Sequence, residues 1–356
     1  MDGEQQTLYS WQSARCEDEY IPDSPARAFR RADGQVALIA THRENWMMVG
    51  PDFTQLRPVC RSILPRAAYQ PLGLNLLWIQ GIYTPDGRHV AALLSHDRSA
   101  PTKRAGCVPD PSRRTARCWL NDILAAVSDD MGESFRLLPP GERLVASLGD
   151  AYPSNGTHRF GVFTLSNIAQ GPDGFHYVIA AAEGDGIQRP GNCLLRSQDP
   201  MRPELWRAWD GTDFTVDMRH PGTPQPCAVL PSASLPSEVR SLLWDARQRS
   251  WIAVFQTRRR DPASGQAWTG IAYSVSPDLF RWGPPVPLLQ APTRAREGGA
   301  RSFIAYPSLI DPASRSRNFD TLEGDAPLLT FAVRHLDRAG RGSMNRDIGY
   351  VRLRVQ

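Results

Sequence analysis

Trp78-Ile79-Gln80-Gly81-Ile82-Tyr83, then Pro85-Asp86-Gly87, then Val90-Ala91-Ala92-Leu93-Leu94, then Ile123-Leu124-Ala125-Ala126-Val127 running into Ser128-Asp129-Asp130-Met131-Gly132-Glu133-Ser134-Phe135: this stretch decides the fold. Three apolar runs of strand length are separated by turn residues, with no spacing that would line up one face of a helix. Related patterns recur five times, at intervals of about 50–70 residues, as the blades of a β-propeller do. The expected fold class is all-β: a five-bladed β-propeller whose ring is closed by an N-terminal strand added to the last blade.

Working outward, the blades fall at about 22–64, 76–146, 162–216, 238–290 and 302–356, as one propeller domain over 1–356. The last has only three strands of its own, so Thr7-Leu8-Tyr9-Ser10-Trp11 is assigned as its fourth, within 7–12. Adding it there removes two exposed sheet edges. No helical stretch of useful length and no interdomain linker is expected. In every blade the turn between strands one and two shares a face with the turn between strands three and four. The Asp-Gly and Ser-x-Asp turns therefore gather at one end, and the long loops at the other. Binding is expected among the long loops.

Composition is that of an ordinary globular chain: 41% hydrophobic and 22% charged residues, with 31 prolines and 28 glycines spread along 356 positions. No apolar run has the roughly 18 residues that a helical membrane span needs, and the first residues do not read as a signal peptide. A net charge of +4 comes from dispersed arginines, and Arg258-Arg259-Arg260 reads as a solvated loop, so no nucleic-acid partner is expected. The cysteines show no Cys-x-x-Cys spacing and no metal-ligand cluster or phosphate loop appears, so no metal or cofactor is expected. Three bridges are considered, Cys16–Cys60, Cys107–Cys118 and Cys193–Cys227, among 15 possible connectivities. Free thiols are the alternative. Bridged cysteines would favour an extracytoplasmic location, which is otherwise open.

The run Ser128 to Phe135 resembles the Asp box of sialidase-like propellers, Ser-x-Asp-x-Gly-x-Ser/Thr-Phe/Trp. Ser276 to Trp282 and Ser197 to Trp206 are degenerate relatives. Such a box marks a turn, with the Asp holding backbone N–H groups and the Gly at positive φ, and says almost nothing of chemistry. The chain from Pro22 to Val355 also resembles the five-bladed glycoside hydrolases of the arabinanase, xylosidase and fructosidase group. That group carries a catalytic Asp just before the first strand of blade 1 and a Glu just before the first strand of a later blade. Tyr20-Ile21-Pro22-Asp23-Ser24-Pro25 puts Asp23 at the first place, and Pro236-Ser237-Glu238-Val239 puts Glu238 at the second.

The resemblance implies a glycoside hydrolase-like enzyme that acts on a carbohydrate or glycoconjugate, as a monomer. Glycosidic cleavage uses one acid to protonate the leaving oxygen and one carboxylate to activate water or attack carbon. Asp23 is expected as base or nucleophile, Glu238 as acid with a raised pKa. The group's further middle-blade carboxylate has no counterpart in Phe163-Thr164-Leu165-Ser166-Asn167. Either Glu183 or Asp97 substitutes from a loop, or the chemistry differs. Arg27, Trp78, His96, Asp97, Asn167, Glu183 and Arg240 are the substrate-binding candidates. A non-catalytic glycan- or protein-binding propeller, and a propeller enzyme of other chemistry such as a lyase, are the alternatives.

Overall fold

The computed structural model describes residues 5–98, 119–149, 159–184, 188–220, 226–260, 265 and 267–354. Nearly everything described is strand and turn, with helix confined to single turns such as Trp11–Ala14 and Arg66–Tyr69. Five groups of antiparallel strands follow one another along the chain. Group 1 pairs Arg27–Arg30, Val36–Thr41, Asn45–Gly50 and Arg57–Pro58 in that order. Group 2 is built on Leu76–Tyr83, Val90–Asp97 and Leu120–Ser128, with short strands Arg136–Leu137 and Leu144–Ala146 outside. Group 3 runs from Phe160–Leu165 through His176–Gly184 and Gln188–Ser197 to Arg207–Trp209 and Phe214–Val216. Group 4 orders Val239–Asp245, Ser250–Arg260, Ala267–Ser276 and Val286–Gln290. Group 5 orders Ser302–Ile310, Leu328–Leu336 and Gly342–Arg352, and its outer strand is Gln6–Tyr9.

The N-terminal strand pairs as the sequence suggests, with Gln6 opposite Tyr350 and Tyr9 opposite Ile348. It is shorter than expected. Trp11 has left the strand for a helical turn, its backbone N–H donating to Asp347 Oδ1 at 2.8 Å. Cys16 is bridged to Cys60, which ties this N-terminal segment to group 1, and Cys193 is bridged to Cys227. The expected Cys107–Cys118 pair lies outside the described residues.

Five apolar cores hold the groups together, one between each successive pair. In the strands of group 2, Leu93 and Ala125 pack toward Val162 and Val178 of group 3. Their neighbours Leu94 and Leu124 pack toward Ile39 and Met47 of group 1. Period-two alternation thus gives two apolar faces, so the strands read as continuous apolar runs rather than as alternating ones. The third and fourth cores join group 3 to group 4 and group 4 to group 5. The last joins Ile310, Leu328 and Ile348 of group 5 to Leu38, Trp46 and Met48 of group 1, with Tyr9 between them. The succession is therefore cyclic, as in a β-propeller.

Tight turns cluster at one end. In Ser128–Phe135, Asp130 Oδ1 accepts from the Ser134 backbone N–H at 2.9 Å and Ser128 Oγ from that of Gly132 at 2.9 Å. Gly132 has φ +82° and Phe135 is buried. The turn at Ser276–Trp282 repeats the scheme, with Asp278 Oδ1 accepting from the N–H groups of Phe280 and Arg281. At the same end, the 311–322 segment covers the channel. Arg30 donates its N–H to Arg317 O at 2.7 Å, and Thr84 donates to Asn318 Oδ1 at 2.8 Å. Gln170 donates to Asp320 Oδ2 at 2.8 Å and Trp244 to Asp320 O at 3.0 Å. One loop of group 5 therefore touches the other four groups, and Arg317 to Asp320 has a structural part.

Candidate active site

At the opposite end, the first strand of each group leads its side chains toward the channel. Arg27 fills the middle. Its guanidinium is buried and donates to Gln80 O, Leu165 O (3.1 Å), Arg240 O (2.8 Å) and Ser308 Oγ (3.1 Å), which belong to groups 2, 3, 4 and 5. Asn167 is a similar tie: its Nδ2 donates to Leu242 O at 2.7 Å and its Oδ1 accepts from Leu242 N at 2.8 Å. Both were candidates for substrate contact. The structure gives them another task, because their polar atoms are occupied in holding neighbouring inner strands together.

Above this floor lies a connected set of charged side chains. Glu238, just ahead of Val239–Asp245, pairs with Arg240 through Oε2 and with Arg159 through Oε1, the latter at 2.7 Å. Arg159 also pairs with Glu183, and Arg240 donates to Thr164 Oγ1 at 3.0 Å. Arg159 lies over the ring of Phe163 (4.5 Å) and near that of Trp119 (5.7 Å), and Arg240 over that of Tyr306 (5.4 Å). Tyr306 O–H donates to Asp23 Oδ1 at 3.1 Å, and Arg346 pairs with the same carboxylate. His42 Nε2 is 3.6 Å from Asp23 Oδ2, while its Nδ1 meets Glu19 Oε2 at 2.8 Å. Asp23 and Glu238, from groups 1 and 4, are thus linked through Tyr306 and Arg240.

The electrostatics of this set depart from expectation. Burial pushes the Glu238 carboxyl up, but the Arg240 and Arg159 guanidiniums outweigh it and hold the group at about 2. Glu238 is ionised here, not poised as an acid with a raised pKa. Burial pushes the Tyr306 phenol up to about 12, with the Asp23 charge adding to it. Burial lowers His42, against the opposing pull of Asp23 and Glu19, so its imidazole is neutral at neutral pH.

Trp78, His96 and Asp97 lie on the first two strands of group 2. His96 is buried in group 2 with its Nδ1 3.7 Å from Asp122 Oδ2, and Asp122 also accepts from Ser147 Oγ at 2.7 Å. Asp97 is buried at the end of Val90–Asp97, opposite Leu76 and Asn121. Trp78 is half-buried on the inner strand of group 2, opposite Ser95. Of the two suggested substitutes for a middle carboxylate, Glu183 joins Glu238 through Arg159.

Sequence reasoning missed Arg159, Tyr306, Arg346 and His42. Tyr306 had a signal in Pro307, which cannot donate to a ladder and marks an edge strand or a bulge. Here Ser302–Ile310 is an edge of its sheet, its register slips between Ala305 and Ser308, and Tyr306 takes φ +58°. Among the described residues, no group of three or more His, Cys, Asp or Glu side chains is placed to hold a metal ion.

No protein-family model and no curated protein matches the sequence. Solved structures do. An endo-1,5-α-L-arabinanase from Thermotoga petrophila RKU-1 superposes with TM-score 0.55 at 10% identity, over 93% of this chain and 71% of its own. The catalytic domain of a GH62 α-L-arabinofuranosidase from Coprinopsis cinerea gives 0.53 at 11%, over 98% and 96%. An α-L-arabinanase from Cellvibrio cellulosa, in complex with arabinohexaose, gives 0.50 at 11%, over 90% and 89%. At such identities the likeness is one of architecture, and the chain has the β-propeller fold of the arabinanase and arabinofuranosidase glycoside hydrolases.

Proposed function

We propose that the protein binds a saccharide at the long-loop end of the channel and cleaves a glycosidic bond there, with Asp23 and Glu238 as the two carboxyl groups. The observation that carries this reading is their placement. Each precedes or opens an inner strand, they come from groups 1 and 4, and both are linked to Tyr306 and Arg240 above the Arg27 floor. Side chains from separate strands can be aimed at one bond from two sides, which neighbours in sequence cannot do. Asp23 acts as base or nucleophile. Glu238 acts as acid only after its arginines have moved off it, since a proton donor needs a pKa near the working pH. Glu183, shared through Arg159, takes the supporting part of a third carboxylate.

A second reading, binding without cleavage, is favoured by one observation. In the free protein both Asp23 and Glu238 are engaged by guanidinium groups, and Glu238 is held ionised, without a proton to donate. Turnover separates the two. On an aryl arabinofuranoside or arabino-oligosaccharide panel, Asp23→Asn and Glu238→Gln should each lower kcat by at least about 100-fold. Binding without any hydrolysis by the unaltered protein would support the second reading instead.

A further inference from the structure

The arginines of this site outdo what a neutral sugar requires. Three guanidinium groups, Arg159, Arg240 and Arg346, pair with the carboxylates of Asp23, Glu183 and Glu238, and a fourth arginine, Arg334, stands beside Arg346. Arg334 lies opposite Arg346 in the strand register and stacks over Phe303 at 5.1 Å. Neutral sugars are commonly held by open aromatic faces, yet here the faces of Phe163 and Tyr306 lie under Arg159 and Arg240. The side chains of Arg159, Arg240 and Arg346 keep 32%, 15% and 11% of their surface exposed, so they are reachable without unfolding.

We propose that the saccharide taken at this site is anionic, a sugar chain bearing a carboxylate or a sulfate ester, and that this group replaces Glu238 between Arg159 and Arg240. The proposal rests on the reading of the site as a saccharide site. Two guanidiniums converging on one carboxylate form a cradle for a planar or tetrahedral oxyanion, bound through paired N–H groups. Glu238 occupies that cradle in the free protein. Displacing it also solves the difficulty of the acid: once the arginines hold the ligand's anion, Glu238 loses the charges that keep it ionised and can take up a proton beside the bond to be cleaved. An acidic saccharide would thus supply both affinity and activation, whereas a neutral one leaves Glu238 locked.

Isothermal titration of the full chain tests this with three probes: tetragalacturonic acid, a chondroitin sulfate tetrasaccharide and neutral arabinotetraose. One or both acidic probes should bind at least about tenfold tighter than the neutral one, and the preference should shrink as salt rises. The carboxylate and sulfate arms show which anion is preferred. Glu238→Gln should tighten acidic-probe binding by about tenfold, because it removes the internal competitor, while Arg240→Gln should weaken it by a similar factor. Glu183→Gln, which removes one of the two carboxylates paired with Arg159, is the second variant should Glu238→Gln fail to fold, and it too should tighten binding. Neutral binding as tight as acidic, or acidic binding unmoved or weakened by both Gln variants at the acidic positions, overturns the proposal and leaves the saccharide reading standing. Binding of none of the three probes overturns both.

Discussion

Between Arg159 and Arg240 the Glu238 carboxyl stays ionised down to about pH 2, where a free glutamate takes up its proton near 4.5. A folded-state pKa below the unfolded one gives stability that is present above the unfolded pKa and lost as pH falls toward the folded one. The window here is about pH 4.5 down to about 2. The shift corresponds to about 3 kcal/mol at neutral pH. Urea denaturation at pH 7, 4 and 3 should find Glu238→Gln less stable than the unaltered protein at pH 7, with the gap closing as pH drops. Parallel pH dependence of the two proteins would show that the arginines do not hold this carboxyl. That Asp23 and Glu238 stand ahead of the first strands of groups 1 and 4 was legible in the sequence, because such a position is a local feature. Arg159, Tyr306 and Arg346 were not, because 79 residues separate Arg159 from Glu238, and 283 and 323 separate Tyr306 and Arg346 from Asp23, so only the ring brings these partners together.

Each of the first four strand groups is tied to the next by a side-chain amide. Asn45 of group 1 donates to Leu77 O (2.9 Å) and accepts from Ile79 N (3.0 Å) of group 2. Asn121 of group 2 donates to Val162 O (2.8 Å) of group 3, and Asn192 of group 3 donates to Ser237 O (2.9 Å) and accepts from Val239 N (3.1 Å) next to Glu238. Gln256 of group 4 donates to Ile304 O (3.2 Å) and accepts from Tyr306 N (3.0 Å). The backbone beside both Glu238 and Tyr306 is therefore fixed by an amide of the preceding group. Group 5 connects differently, through the Gln6–Tyr9 strand, the Tyr9 and Trp46 ring contact at 4.7 Å and the Arg346–Asp23 pair. Deleting the first 12 residues should lower the melting temperature by several degrees, since it uncovers the Ile348–Tyr350 edge of the last strand and opens the core between groups 5 and 1. An unchanged melting curve would mean that the ring does not depend on this strand. The strand groups themselves could be read from apolar runs and Asp-Gly turns. The amide ties could not, because a single Asn at a strand start looks like any turn residue until its partner strand is known.

At the scale of the whole molecule, the inner strands form a circuit through Arg27, and the two channel ends differ in kind. One end is closed by the 311–322 segment; the other opens above Arg27 on the carboxylates and arginines. Replacing Arg27 with Met leaves carbonyls of three strand groups without their donor. A buried carbonyl left without its donor costs about 1–3 kcal/mol. Denaturant midpoints should register it; a loss under about 1 kcal/mol would deny Arg27 its place as the hub. The propeller was legible because its repeat is periodic in sequence. The role of Arg27 was not, since an Arg on an inner strand beside the channel fits substrate contact and strand bridging equally well from sequence alone. The central claim is that one saccharide lies between Asp23 and Glu238, and a crystal structure of the doubly substituted Asp23→Asn, Glu238→Gln protein soaked with the tightest-binding oligosaccharide tests it most directly. The account expects one glycosidic bond flanked by the two side chains, with their carboxyl-derived groups about 5–9.5 Å apart. A sugar bound elsewhere, or a separation beyond about 12 Å, would contradict it.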